Sequence, residues 1–309
     1  MKIVFMGTPE FAVPSLTRLL NSKHQVIAVV TGTDKPIGRG QKMKPTPIKQ
    51  TAQSFGISVL TPASLSDPDF IGGLRGLSSD LFVVVAFRIL PPAVFTIPPK
   101  GTINLHASLL PKYRGAAPIH WAIINGEKKT GVTTFFIEEK VDAGEWILQQ
   151  KVDIGDQENA GELHDKLSRV GADALLQTVD LIEQGRAPRV KQVGEVTKAP
   201  KLSRELCRIK WTDDAQRINN LIRGLSPYPQ AFSILNGEEI KICRSHVEID
   251  TVTKTGQPGE ILGAMKDRIL VCAADGVLAI TELQPENRRR MTAAEYLLGH
   301  PLTAGDRFE

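Results

Sequence analysis

Short apolar runs alternate with amphipathic stretches through the first half of the chain. Several runs are rich in valine and isoleucine and apolar at consecutive positions, which is typical of strands buried on both faces of a parallel sheet. The predicted strands are 2–6, 25–30, 57–60, 81–87 and 102–105. The intervening stretches carry helical spacing or a proline near the first turn, and the predicted helices are 13–20, 48–55, 68–77 and 92–95. This alternation predicts an α/β fold, an open sheet with right-handed crossovers.

The pattern changes after residue 131. Two predicted strands, 132–137 and 146–152, flank a turn-rich connection, and a long helix over 158–184 follows. Beyond a basic stretch, a helix over 213–225 precedes five short strand-like segments separated by turn signals, which indicates a small β-barrel. The predicted organisation is an α/β domain over 1–188, a linker over 189–208 and a C-terminal domain over 209–309.

Composition excludes several classes of protein. At roughly 150 residues per domain, 309 residues suggest two domains, and 41% hydrophobic with 23% charged residues is typical of globular chains. No apolar run approaches the roughly 18 residues that cross a bilayer. Because Cys207, Cys243 and Cys272 form no C-x-x-C pair, neither a disulfide framework nor a thiol zinc site is indicated. We expect a cytoplasmic protein without a membrane span or a bound metal.

Positive charge is concentrated in two places. Residues 31–50 hold five bases and one acid, an excess equal to the net charge of +4 for the whole chain. Residues 186–210 hold eight bases and two acids. Such patches are the usual footprint of a polyanion partner. Considered alone, each stretch is more often a solvated loop or linker.

A catalytic constellation is predicted where the strand over 102–105 ends. Asn104 and His106 lie two residues apart and therefore project from the same face at the carboxyl end of the sheet, where open α/β folds bind ligands. Asn104 offers amide donors for a developing oxyanion, and His106 can exchange a proton near neutral pH. Asp142, in the turn between two strands, could orient the imidazole. An isolated N-x-H is nevertheless more often a structural pair than a catalytic one.

No protein nucleophile or nucleotide cofactor is indicated. The chain lacks G-x-S-x-G, G-x-G-x-x-G and the P-loop motif. The other histidines show no metal-like spacing. An oxyanion donor and a base without a nucleophile suit direct transfer of an acyl group from a carrier to an amine.

Three segments carry a family resemblance. The sequences FMGTPEFA at 5–12, NLHASLLP at 104–111 continuing into RGAAPI at 114–119, and VDAG at 141–144 closely resemble those of the methionyl-tRNA formyltransferases. The resemblance covers essentially the whole chain. The N-x-H, S-L-L-P and D-x-G combination is specific for enzymes that use 10-formyltetrahydrofolate, although it does not choose the acceptor.

The resemblance implies a fold, a reaction and a set of site residues. It implies a Rossmann-like open-sheet formyltransferase domain and a C-terminal OB-like β-barrel domain that binds tRNA. The implied reaction transfers the formyl group of 10-formyltetrahydrofolate to the α-amino group of methionine on initiator tRNA, for translation initiation. Asn104, His106 and Asp142 match the catalytic positions. The folate, a co-substrate rather than a permanently bound cofactor, is expected to contact Val84, Ala86, Phe87, Ser108, Leu109, Leu110, Pro111 and Asp142.

The basic loop over 31–49 bears on the acceptor. It resembles the insertion with which methionyl-tRNA formyltransferases contact the acceptor stem, and the predicted tRNA-binding residues are Lys35, Arg39, Lys42 and Lys44. The expected partners are initiator methionyl-tRNA and 10-formyltetrahydrofolate, with the chain as a monomer away from any membrane.

Two alternatives stay open. A UDP-aminosugar formyltransferase uses the same folate donor and shares the S-L-L-P-K-Y-R-G stretch. A noncatalytic tRNA-binding protein is the alternative of another class, and intact Asn104, His106 and Asp142 argue against it. This chain departs from the family pattern at one pair of positions, where many relatives have Tyr-Gly and this chain has Phe87-Arg88. The departure concerns the expected contacts with the pterin ring of the folate.

Overall fold

A computed structural model describes residues 1–37, 42–248 and 256–309. The chain divides into two units that are not continuous in sequence. Unit 1 comprises residues 1–115, 130–152 and 164–199, and unit 2 comprises 116–129, 153–163 and 200–309. Residues 189–199 of the predicted linker belong to unit 1. The domain boundaries predicted at 188 and 209 stay a prediction.

The described elements up to residue 199 are strands and α-helices, with a 3-10 turn at Glu10–Ala12. The strands are β1 (Lys2–Gly7), β2 (Gln25–Val30), β3 (Lys35–Ile37), β4 (Lys42–Lys44), β5 (Val59–Leu60), β6 (Leu81–Val85), β7 (Thr102–His106), β8 (Arg114–Gly115), β9 (Lys129–Phe136), β10 (Trp146–Asp153) and β11 (Lys198–Ala199). The helices are α1 (Val13–Leu20), α2 (Pro47–Ser54), α3 (Pro68–Gly76), α4 (Pro92–Phe95), α5 (Pro118–Ile124) and α6 (Ala160–Glu183).

A seven-stranded sheet organises unit 1, in the order β10-β9-β7-β6-β1-β2-β5. The pairs β1–β2, β1–β6, β6–β7 and β2–β5 are parallel, and β7–β9 is antiparallel. The predicted open, mostly parallel sheet is confirmed. Its central strands are buried on both faces, since consecutive residues of β6 are all buried. The carboxyl ends of β1, β6 and β7 therefore meet at one edge.

Helix starts in unit 1 follow the local sequence. The Thr46 hydroxyl accepts from the Lys49 amide at 3.1 Å, and the Asp67 carboxylate accepts from the Asp69 amide at 3.0 Å. Each cap precedes a proline in the first turn, where the missing amide costs no intrahelical hydrogen bond. These caps fix where α2 and α3 begin.

Unit 2 is built on antiparallel strands with three further helices. Its remaining elements are α7 (Arg204–Cys207), α8 (Ala215–Leu225), β12 (Ala231–Leu235), β13 (Glu238–Glu248), β14 (Ile261–Ala264), β15 (Ile269–Cys272), β16 (Val277–Pro285), β17 (Met291–Thr292) and α9 (Ala293–Gly299). The sheet order is β12-β13-β16-β15-β14, and β17 pairs with β16. Apolar residues of the strands and of α8 form one buried core, in which the Trp211 and Phe308 rings lie 5.5 Å apart.

The two edges of this sheet are joined by the last residues of the chain. Phe308 bridges Leu235 of β12, and Arg307 bridges Glu260 beside β14. The Ile261 amide donates to the Asp306 carbonyl at 2.7 Å, and the Glu309 amide donates to the Ile234 carbonyl at 2.9 Å. Closure of this kind leaves fewer unpaired strand edges. The predicted C-terminal domain of short strands is confirmed, and its strands pair antiparallel.

The helices that the structure describes include none with the length and hydropathy needed to cross a membrane.

Candidate active site

Strand β7 carries two polar side chains to the carboxyl edge of the sheet. Asn104 pairs with Val84 on one side and Phe135 on the other, and His106 pairs with Thr133. Alternation along the strand puts Asn104 and His106 on the same face. Asn104 is half-buried, and its side-chain amide makes no hydrogen bond to any residue that the structure describes. Its two N–H groups are therefore available to an incoming oxygen.

The imidazole of His106 is held in one tautomer. Its Nε2 lies 2.8 Å from the Tyr113 carbonyl oxygen, which can only accept, so Nε2 carries the ring proton. Nδ1 of the neutral ring then holds a lone pair and lies 3.9 Å from Oδ2 of Asp142. Both side chains are largely buried, at 7% and 12% exposure. Nδ1 is therefore the nitrogen that can take up a proton, and the Asp142 carboxylate stabilises the resulting cation.

Asp142 sits in a tightly specified turn. Its backbone has φ of 53°, a left-handed conformation that aspartate tolerates better than most residues. Its Oδ2 accepts from the Gly115 amide at 2.9 Å. A Cβ at position 144 would lie 1.7 Å from the Phe136 carbonyl oxygen, and one at position 115 would lie 2.6 Å from that of Ala199. The glycines of D-x-G and R-G are required by these close backbone approaches.

The loop over 108–111 is fixed by hydrogen bonds to Lys112, Thr133 and Gln149. The hydroxyl of Ser108, which is fully buried, donates to the Lys112 carbonyl at 2.6 Å. The Leu110 amide donates to the Thr133 hydroxyl at 3.1 Å, and the Leu110 carbonyl accepts from the Gln149 amide at 2.7 Å. Ser108 and Leu110 therefore shape the loop, whereas Leu109 and Pro111 are half-buried and reach its surface.

The end of β6 supplies the other predicted folate contacts. Val84 is buried, Ala86 is exposed with φ of 48°, and Phe87 is half-buried. The Arg88 guanidinium lies 5.3 Å from the Phe87 ring centroid and donates to the Pro62 and Ala63 carbonyls. These bonds hold Arg88 against the neighbouring loop.

The predicted tRNA-binding residues fall on a two-stranded ribbon. β3 and β4 pair antiparallel, which places Lys35 opposite Lys44, and both are exposed. Arg39 lies outside the described residues, and Lys42 is described by its backbone only. At the base of the ribbon, Asp34 pairs with Lys49 at 2.8 Å. Lys49 is thereby neutralised, so Lys35 and Lys44 are the exposed cations of the described ribbon.

Outside this site, one group of described side chains offers ligand atoms that are close enough together to hold a metal ion. His24, Asp180 and Glu183 lie close together. The Lys23 ammonium already lies 3.0 Å from Asp180 and 2.8 Å from Glu183, and with it the pKa of Glu183 falls from 4.5 to about 2. This group is an ion-pair network of unit 1.

The cysteines are structural rather than nucleophilic. All three are free and buried. Burial raises the pKa of the Cys207 and Cys243 thiols, which opposes formation of the reactive thiolate.

A groove of about 550 Å³ lies at the opposite end of β7. It is lined by Lys100, Phe136 and Arg189 among others, and includes none of the predicted site residues. We favour the carboxyl edge as the reactive site, because ligands of open α/β sheets bind there and because Asn104, His106 and Asp142 face it.

Sequence reasoning did not single out three backbone and side-chain groups at this edge. They are the Tyr113 carbonyl, the Gly115 amide and the Gln192 side chain, which donates to the Asp142 and Gly144 carbonyls. The first two lie in the S-L-L-P-K-Y-R-G stretch that is shared with the UDP-aminosugar formyltransferases. No local pattern marks Gln192.

Comparison with known proteins identifies the family of both parts of the chain. Residues 1–179 match the formyl transferase family, and residues 201–301 match the formyl transferase C-terminal domain. The chain is 47% identical over 306 residues to a methionyl-tRNA formyltransferase of Pelotomaculum thermopropionicum, covering 99% of this chain and 97% of that one. It is 46% identical over 308 residues to a methionyl-tRNA formyltransferase of Alkaliphilus oremlandii, covering 99% of each.

A solved structure shares the fold at lower identity. WlaRD, a sugar 3N-formyl transferase crystallised in the presence of dTDP and 5-N-formyl-THF, superposes with a TM-score of 0.68 at 22% identity. The match covers 94% of this chain and 99% of that one. From the matches over both segments and the full-length identities, the chain belongs to the formyl transferase family and, within it, to the methionyl-tRNA formyltransferases.

Proposed function

We propose that this protein transfers the formyl group of 10-formyltetrahydrofolate to the α-amino group of methionine on initiator tRNA. The observation that carries the proposal is the position of His106 Nδ1, which faces Asp142 at 3.9 Å on the sheet face that also carries the Asn104 amide, a group with no hydrogen bond to any described residue. A base, its counter-ion and an oxyanion donor are what direct acyl transfer to an amine requires. The full-length relatives named methionyl-tRNA formyltransferase support this choice of acceptor.

The proposed reaction proceeds without a covalent intermediate on the protein. The neutral methionyl amine attacks the formyl carbon, and Asn104 donates to the oxygen as it becomes negative. His106 Nδ1 takes the proton released by the amine nitrogen, and the Asp142 carboxylate stabilises the imidazolium. The bond from the formyl carbon to N10 then breaks, and N10 takes the proton from His106. The protein ends in its starting protonation state.

The folate is proposed to lie along the carboxyl edge between the end of β6, the 108–111 loop and the Asp142 turn. Ala86, Phe87, Leu109 and Pro111 offer surface there. Val84, Ser108 and Leu110 are buried and support that surface from beneath.

Removing the charge of Asp142 should slow catalysis while leaving binding intact. Asp142→Asn keeps the side-chain size and an oxygen for the Gly115 amide, but it loses the carboxylate beside His106. We expect kcat to fall by about 10- to 100-fold with little change in either KM, because a charge pair near 4 Å at a partly buried site contributes on the order of a few kcal/mol. Steady-state kinetics of tetrahydrofolate release measures this.

The control is Asp156→Asn, which removes an exposed carboxylate paired with Lys128 at 2.7 Å. That variant should match wild type in kcat. If Asp142→Asn also matches wild type, Asp142 does not stabilise a cation in the reaction.

The basic ribbon should act on tRNA and not on folate. The double variant Lys35→Ala/Lys44→Ala should raise the KM for methionyl-tRNA and reduce the slope of log KM against log salt by about two, since each phosphate contact releases about one counter-ion. The KM for 10-formyltetrahydrofolate should not change. Initial rates across a salt series give both values.

A matched control removes the same charge elsewhere. Lys128 and Lys129 are both 70% exposed, and Lys128→Ala/Lys129→Ala should leave the salt slope near that of wild type. An equal change of slope in both double variants would mean that net charge, rather than the ribbon, governs tRNA binding.

The choice of acceptor has a direct test. The protein is mixed with 10-formyltetrahydrofolate and either methionyl initiator tRNA or a UDP-aminosugar, and the release of tetrahydrofolate is followed spectrally. We expect turnover with the tRNA and none with the sugar nucleotide. Turnover with the sugar alone would assign the chain to sugar formylation.

A further inference from the structure

A segment of the predicted linker lies against both loops of the candidate site. Val190 and Trp146 exchange backbone hydrogen bonds of 2.9 and 3.1 Å. Further along, β11 pairs in parallel with β8, which follows directly after Tyr113. Residues 190–199, here called the strap, therefore contact the strand that follows the Asp142 turn and also the loop that holds His106. All of these residues belong to unit 1.

Gln192 is the strap residue whose side chain hydrogen-bonds to the Asp142 turn. Its Nε2 donates to the Asp142 carbonyl at 3.0 Å and to the Gly144 carbonyl at 2.8 Å. Its Oε1 accepts two hydrogen bonds from the Arg114 guanidinium, and the shorter of the two is 2.6 Å. One amide thus joins the turn that carries Asp142 to the residue beside Gly115, whose own amide binds the Asp142 carboxylate.

Thr197 braces the other side of the site. Its hydroxyl accepts from the Tyr113 amide at 2.8 Å, and its carbonyl accepts from the Arg114 amide at 2.9 Å. Tyr113 has φ of 61°, and its carbonyl is the group that fixes the His106 ring. The left-handed backbones at Tyr113 and Asp142 are strained conformations that persist only where surrounding bonds hold them.

We propose that Gln192 is a positioning residue that holds the Asp142 carboxylate toward His106, an inference that rests on the proposed function. The chemistry of the position is specific. The side chain donates two hydrogen bonds to carbonyls and at the same time accepts from a guanidinium, and only a primary amide of this length does both. Gln192 acts through Asp142 and does not touch the reacting atoms.

The test compares Gln192→Ala and Gln192→Glu with wild type. Alanine loses the hydrogen bonds to all three partners. Glutamate keeps an acceptor for Arg114, but it places a carboxylate oxygen, which cannot donate, against the two carbonyls. We expect kcat to fall about tenfold in both variants with each KM within a factor of two, because a misplaced catalytic group costs rate rather than affinity. Val193→Ala is the matched control, since Val193 is the next strap residue and 84% exposed. It should keep wild-type kcat and melting temperature.

A double-mutant cycle separates positioning from general stability. If Gln192 acts through the Asp142 carboxylate, Gln192→Ala should cost little further kcat in an Asp142→Asn background. Full additivity of the two losses, or a wild-type kcat for Gln192→Ala, overturns the inference while the proposed function stands. Absence of formyl transfer by the wild-type protein instead removes the proposed function itself, and the inference with it.

Discussion

Replacing His106 by alanine is expected to lower kcat for formyl transfer by about 10²- to 10⁴-fold, the range that a positioned general base contributes. The reason lies in the ring's fixed orientation. Nε2 is engaged by the Tyr113 carbonyl, so Nδ1 is the nitrogen open to the substrate amine, with Asp142 placed to stabilise its cation. Since the loss concerns proton transfer, KM for both substrates should change far less than kcat. Single-turnover and steady-state rates measure the difference.

His300 offers a matched control for this loss. Its Nδ1 also lies near a backbone carbonyl, that of Tyr296 at 3.1 Å, but it belongs to unit 2. His300→Ala should keep the wild-type kcat. That result would show that the loss in His106→Ala comes from the position of His106 and not from the removal of any imidazole. A His106→Ala variant with unchanged kcat and folded structure would remove proton transfer by His106 from the mechanism.

Asn104→Ala is the second large effect, with an expected loss in kcat of about 10²- to 10³-fold, the cost of removing one oxyanion donor. The Asn104 amide makes no hydrogen bond to a described residue, so its truncation leaves no buried partner unsatisfied there. We therefore expect the melting temperature of this variant to change little although its kcat falls. Thermal unfolding together with kcat and KM distinguishes the two effects.

The comparison variant for asparagine is Asn21→Ala at the end of α1, where the amide donates to the Thr17 carbonyl at 2.9 Å. That change should leave kcat as in wild type. If Asn104→Ala raises KM and leaves kcat unchanged, the amide binds the ground state, and the oxyanion role is wrong.

Local patterns were enough to predict much of the fold. The helices over 13–20 and 92–95 and the strand over 25–30 begin and end as predicted, because each run has its own start signal or unbroken apolar character. The strand predicted over 81–87 ends at Val85, since Ala86 turns to a φ of 48° that no propensity of alanine indicates. Helix α5 was missed although Pro118 marks its first turn, because seven residues show little periodicity.

The candidate site could likewise be predicted only in part from the sequence. The N-x-H and D-x-G motifs led to His106 and Asp142, and the structure brings these two side chains within 3.9 Å. The tautomer of His106 could not be predicted, because it depends on a carbonyl whose direction is set by the left-handed Tyr113. Gln192 could not be predicted either, since its partners are two backbone carbonyls 50 and 48 residues away and the Arg114 side chain 78 residues away, whose positions depend on tertiary packing.

The most direct test is the single-turnover formation of N-formylmethionyl-tRNA by wild type and by the Asn104→Ala/His106→Ala double variant, with both substrates bound beforehand. Wild type should form product with one tetrahydrofolate released for each formyl group transferred. The double variant should bind both substrates with near wild-type affinity and transfer at least as slowly as the slower single variant. A double variant that transfers at the wild-type rate would contradict the assignment of catalysis to these side chains.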